Sequence, residues 1–169
     1  MSTRRKHFCI YVEKNMKFTM TTITVDTPNK YGTIFPRDVV EKGLIKYQET
    51  VGGNKAFGET GDTFHEMTIN INNASHYITK LYWEENTLMA EIETLQTPMG
   101  FVLEDLLNSG CDRHLSYRGI GGIEKGLDGN NIVTDILFIS FDFYAQSISE
   151  RLPSDRGDYL TKLGFEKVD

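Results

Sequence analysis

Ala74-Ser75-His76-Tyr77-Ile78-Thr79-Lys80-Leu81-Tyr82-Trp83, then Glu84-Glu85-Asn86, then Thr87-Leu88-Met89-Ala90-Glu91-Ile92-Glu93-Thr94-Leu95: two strand-like runs separated by a short polar turn. Runs of this kind joined by so brief a connection predict an antiparallel hairpin. Upstream, Thr68-Ile69-Asn70-Ile71-Asn72 alternates at period two and reads as a further strand. Lys55 to Thr63 is a polar, glycine-bearing loop leading into Phe64-His65-Glu66. Pro36 opens a helix to about Glu49, with Val39, Val40, Leu44 and Tyr47 on its apolar side and Gly52-Gly53-Asn54 as its stop. Before it, His7 to Glu13 and Lys17 to Asp26 read as strands, and Thr27 to Gly32 as a turn.

Downstream, Thr97 caps a second helix with Pro98 in its first turn. Met99, Val102, Leu103, Leu106 and Leu107 follow at helical spacing, and Gly110 ends it. Asp112 to Tyr117 is a strand carrying Ser116 at its end, and Asn130 to Tyr144 is a long strand with Asp142 near its finish. From Ser147 the chain turns polar and punctuated, which suits a tail. The expected fold class is α+β and mostly β. Six or seven strands form a largely antiparallel, barrel-like sheet decorated by two helices. Regular strand–helix alternation is lacking, which argues against a doubly wound sheet.

The chain has 169 residues, 39% hydrophobic and 25% charged, as suits one domain with a sizeable core. A net charge of −6 with no basic face argues against nucleic acid as a partner. The apolar runs are too short to span a bilayer, and Met1 to Ile10 lacks a signal-peptide hydrophobic region. The two cysteines, Cys9 and Cys111, lack metal-ligand spacing and read as reduced buried thiols.

Chemistry concentrates at Leu115-Ser116-Tyr117-Arg118-Gly119-Ile120-Gly121-Gly122. A serine hydroxyl becomes a nucleophile when a base takes its proton and a third group orients that base. His65 and Asp142 supply the residue types, although a serine before a glycine-rich turn also suits simple backbone capping. His76 lies on a predicted strand and reads as a core or supporting group. His114 is two places from Ser116, a separation of about 7 Å along a strand, too far for a base.

Several segments in one order resemble the prohead maturation proteases of T-even-type tailed bacteriophages, themselves distantly similar to the herpesvirus capsid-assembly serine protease. Thr27 to Pro36 resembles the family segment before the first helix, and Gly58-Glu59 followed by His65 resembles its Gly-Glu-Leu-x-His-Pro stretch. Ser75-His76-Tyr77-Ile78 with Leu81-Tyr82-Trp83 is similar to a Ser-His-x-Ile…Leu-Trp-Trp block. Leu95-Gln96-Thr97-Pro98-Met99-Gly100 is similar to Leu-x-Thr-Pro-x-Gly. Leu115 to Gly121 is similar to Val-Ser-Ser-Arg-Gly-Leu-Gly, whose first serine is the family nucleophile. The likeness runs from Ile23 to Ser149. It departs at the histidine, which follows Glu59 at a longer interval than in the family and lacks the proline. A direct register would put Asp62 there, and a short loop insertion restores His65.

The resemblance implies a serine endopeptidase with Ser116 as nucleophile, His65 as base and Asp142 as the group holding the imidazole. Arg118 and Gly119 are implied in oxyanion support, with His76 as a supporting residue. It implies no metal and no organic cofactor. Its substrates are phage scaffold, core and capsid proteins, its place the assembling prohead in the host cytoplasm, and a homo-oligomer is expected, with no nucleic-acid or membrane partner. The protease-like domain is expected over residues 1–150, with 151–169 as a tail. Ile148-Ser149-Glu150 matches the family's cleavage context after glutamate, so self-cleavage is expected after Glu150. Two other readings are a non-catalytic, protease-like core or scaffold component of the prohead and a small β-barrel binding module.

Overall fold

Every second side chain from Leu88 to Thr94 is buried, so this segment lies as a strand with one face turned to the core. It belongs to a computed structural model that describes residues 15–61, 63, 66–110 and 113–145. In chain order the elements are β1 (Lys17–Thr24), β2 (Thr33–Ile34), α1 (Arg37–Gly52), β3 (Phe57–Glu59), β4 (Ala74–Glu84) and β5 (Thr87–Thr94). There follow α2 (Pro98–Asn108), β6 (Arg113–Ile120), β7 (Ile123–Lys125), β8 (Asn131–Val133) and β9 (Leu137–Ala145).

The expected hairpin is the centre of the fold. β4 and β5 pair antiparallel from Glu84↔Thr87 back to His76↔Thr94, and Glu85 takes a positive φ of 51° at the reversal. β1 pairs with the free side of β5 and β3 with that of β4, giving the order β1-β5-β4-β3. β6 and β9 form a separate antiparallel pair. β8 is flanked by β2 in parallel and β7 antiparallel.

Both helices begin as the sequence predicts. Pro36 occupies the N-cap of α1; its carbonyl accepts from Val39 N and Val40 N, while Asp26 Oδ1 accepts from Arg37 N. The buried stripe Val40, Leu44, Tyr47 and Val51 follows helical spacing and packs toward β9, where the Tyr47 and Phe141 rings lie 5.3 Å apart. At α2, Thr97 Oγ1 accepts from Gly100 N at 3.0 Å and donates to Ala74 O at 2.7 Å, so the cap also ties the helix to the start of β4. Val25, Val40, Ile78, Ala90 and Phe141 form the most deeply buried part of the core, with Leu88, Ile92 and Leu103 beside them. No helix among the described residues is long and apolar enough to cross a membrane.

Four expectations change. Thr68 to Asn72 is a loop entering a short 3₁₀ turn, Ile71–Asn73, because Asn70 turns its side chain onto Asn72 N and so competes with a sheet ladder. The long strand from Asn130 to Tyr144 is two strands in different sheets. It breaks at Thr134 to Ile136, where Thr134 N donates to Gly122 O and Asp135 Oδ1 accepts from Gly122 N. The serine strand runs on to Ile120, so Ser116 sits mid-strand and not at an end. Nine strands are described, in three small sheets that do not close into one hydrogen-bonded barrel; just past β3, Thr60 forms an isolated parallel bridge with Phe143 of β9. The strand expected over His7 to Glu13 and the boundary at residue 150 lie outside the described residues.

Candidate active site

In an antiparallel pair, directly opposed residues share a face, and the β6–β9 register therefore sorts the site. Leu115, Tyr117, Phe141 and Phe143 point to the core side. On the other side Ser116 stands opposite Asp142, Arg118 opposite Ser140, and His114 opposite Tyr144. Ser116 is half-buried, whereas Asp142 and Ser140 are fully buried and Arg118 is 3% exposed. Two paired strands thus present a partly accessible serine beside a closed charge cluster.

That cluster is built around Arg118. Its Nε lies 2.9 Å from both Ser140 Oγ and Asp142 Oδ2. Nη2 donates to Glu59 Oε1 at 2.9 Å and reaches Asp142 Oδ1 at 3.5 Å. Nη1 donates to the backbone carbonyls of Glu66 at 3.3 Å and Thr68 at 3.1 Å. Every N–H of the guanidinium is engaged. The Arg118 side chain, expected in oxyanion support, here spends its donors on the cluster and on the loop before β4. Gly119, the other residue expected in oxyanion support, is three residues along the strand from Ser116, about 10 Å. It sits at a β-bulge opposite Phe138, where a Cβ would lie 2.6 Å from Leu137 O.

The Asp142 carboxylate is equally committed. Oδ1 accepts from Glu59 N at 2.9 Å, while Oδ2 accepts from Thr63 Oγ1 at 2.8 Å and Ser140 Oγ at 3.0 Å, besides the two contacts from Arg118. Burial pushes this carboxyl above its usual range; the Glu59 N–H, Arg118, Thr63 and Ser140 pull it back. A carboxylate offers about four lone-pair sites. Donors from the described residues alone take up these sites. One guanidinium faces two carboxylates, Glu59 and Asp142, and Glu59 Oε1 also accepts from Asn70 N at 2.8 Å.

His76 is on the far side of the β6–β9 pair, its ring edge-on to Phe143 at a centroid distance of 5.0 Å. Nε2 is 2.9 Å from Phe141 O, and a carbonyl can only accept, so the proton sits on Nε2. Nδ1 then accepts from Ser75 Oγ at 2.9 Å, and Ser75 Oγ meets Thr60 Oγ1 at 2.8 Å. A Cβ on Gly58 would be 2.3 Å from Nε2, so the β3–β4 register here requires glycine. The expected supporting role becomes structural: His76 bonds β4 to β9 away from Ser116.

Burial lowers the His76 pKa from 6.5 to about 4, against the opposing pull of Phe141 O. A depressed folded pKa makes its stability contribution complete above the unfolded value and lost as pH falls toward the folded one. Acidification across that window should cost about 3 kcal/mol through this residue. Urea midpoints of wild type and His76→Gln, followed from pH 7 to pH 4, should converge. Parallel curves would contradict the assignment.

The sequence singled out Ser116, Arg118 and Asp142, and the fold brings them onto one face. His65, with Asp62 and Phe64, lies outside the described residues, as does Glu150. Sequence reasoning missed Thr63 and Ser140 as partners of that face. The alternation Ser140-Phe141-Asp142-Phe143 carried a signal for Ser140, since its polar members share one side of a strand. Nothing local marks Thr63.

The family described as prohead core protein serine protease matches residues 9–144. The solved structure of the bacteriophage T4 capsid assembly protease superposes with a TM-score of 0.71 at 18% identity, covering 77% of this chain and 81% of that one. No curated protein sequence gives a significant match.

Proposed function

Because the chain belongs to the prohead core protein serine protease family, we propose that it is a serine endopeptidase cutting scaffold, core and capsid proteins inside an assembling phage head. The observation that carries this reading is the position of Ser116: half-buried on a paired strand, on the face that also holds the Glu59–Asn70 segment through Arg118 and Asp142. The Ser116 hydroxyl attacks the peptide carbonyl, and His65, which that segment carries, takes its proton and returns it to the leaving amine. Asp142 serves by holding the segment; its filled lone pairs argue against a direct bond to the imidazole. The bacteriophage T4 protein of similar fold is a capsid assembly protease, and the same setting is proposed here, in the host cytoplasm and within the prohead. Cleavage after glutamate, self-cleavage after Glu150 and homo-oligomerisation complete the proposal. The barrel-like arrangement belongs with it, supported by the Thr60↔Phe143 bridge and by the Phe18 and Phe143 rings, 5.7 Å apart between β1 and β9.

A fluorophosphonate probe tests the reading, since it labels a serine only when a base activates it. Peptide mapping should place the adduct on Ser116, with none in Ser116→Ala. A folded protein that stays unlabelled yet enters the prohead core would instead favour the non-catalytic scaffold role.

A further inference from the structure

The described residues of the Glu59–Asn70 segment past Gly61 lie in no strand, yet the segment is attached to the β6–β9 face at four described residues. Glu59 contributes its N–H and carboxylate, Thr63 its hydroxyl, and Glu66 and Thr68 their carbonyls, while Asn70 N–H donates to the Glu59 carboxylate and so ties the end of the segment to its start. Within the segment, Glu66 N donates to Thr63 O at 3.0 Å, closing a short turn between two of these points. On the face itself the attachments go to Asp142 and Arg118 and, through Arg118 Nε, to Ser140. Asp142 is the residue opposite Ser116, and Arg118 lies two along from it.

We infer that Glu59, Thr63, Arg118 and Asp142 form a buried clamp that sets the Glu59–Asn70 segment against the Ser116 face, which makes them positioning residues for hydrolysis. The inference rests on the protease reading above. Burying three charges is a poor way to stabilise a fold, because apolar packing of the same volume usually does as well or better. What such a cluster supplies is geometry: fixed bond directions that admit one placement of the segment's attached residues against the strand pair that carries Ser116. Arg118 is suited to this, since its planar fork binds two carboxylates and two carbonyls at once and lysine could not.

Thr63 is the point to test, because its removal leaves the three charges in place. Thr63→Val is nearly isosteric and deletes the hydroxyl bonds to Asp142 Oδ2 and, at 3.1 Å, to Tyr144 Oη. Two readouts are needed on folded protein: amide hydrogen exchange at Glu66 and Asn70 relative to β4 and β5, and the rate at which the fluorophosphonate labels Ser116. The expected result is about tenfold faster exchange confined to the segment and about tenfold slower labelling. Thr63→Ser, which restores the hydroxyl, should return both to wild-type values. Unchanged exchange and labelling in Thr63→Val, with wild type labelled normally, overturns the clamp. A wild-type protein that is never labelled, with the exchange response intact, overturns the positioning role and the protease reading together.

Discussion

Ser116→Ala should abolish processing of a core-protein substrate, lowering turnover by roughly 10⁶-fold, the scale seen when a triad nucleophile is removed. Some residual acceleration over water is expected, because binding and electrostatic groups outlive the nucleophile. Stability should hardly move: Ser116 is half-buried, and losing one hydroxyl there should shift unfolding by about 0.5 kcal/mol or less. That pairing of a dead enzyme with an unaltered fold separates chemistry from structure. Intact-mass measurement adds a second reading from the same protein. Wild type recovered from mature heads should end at Glu150, while the alanine variant should keep all 169 residues. Processing at the wild-type rate by Ser116→Ala would exclude Ser116 as the nucleophile.

Arg118→Met should be the most destabilising single change at the site, by about 3–5 kcal/mol. Its side chain is 2% exposed, and removing it strands the Glu59 and Asp142 carboxylates, themselves 2% and 0% exposed, with no counter-charge. The carbonyls of Glu66 and Thr68 lose their donor as well. A loss of that size is a large share of the ~5–15 kcal/mol that separates folded from unfolded chains. Adding Glu59→Gln and Asp142→Asn to Arg118→Met should recover part of it, since neutral amides tolerate burial where bare carboxylates do not. Urea midpoints for the single and triple variants measure both effects. A wild-type midpoint for Arg118→Met would mean that the cluster is not closed as described.

The candidate site was legible in outline because its residues stand out locally. Ser116 was visible as a hydroxyl set between a strand-like run and a glycine turn, and Asp142 as an acid inside an aromatic strand, which is costly unless paired. The partner expected for Asp142 was a histidine. The partner found is Arg118, because the antiparallel register puts residues 116 and 142 opposite each other and brings 118 alongside. Arg118 was legible from its place beside the serine, which suggested oxyanion support; what the sequence did not carry is that its donors turn across the strand to Glu59, Ser140 and Asp142 and to the loop carbonyls.

The hairpin from Ala74 to Leu95, the helix beginning after Pro36 and the helix capped by Thr97 with Pro98 are set by short-range causes. Side-chain alternation, ring-fixed φ and a hydroxyl within reach of Gly100 N act over a few residues, so those features can be read from the residues alone. The break of the Asn130–Tyr144 run, the loop at Thr68–Asn70 and the Arg118–Glu59–Asp142 cluster have long-range causes. Glu59 and Arg118 are 59 residues apart, and Glu59 N and Asp142 are 83 apart. Whether such groups meet depends on strand register and on how far burial strengthens an ion pair, and neither exists until the sheets have packed.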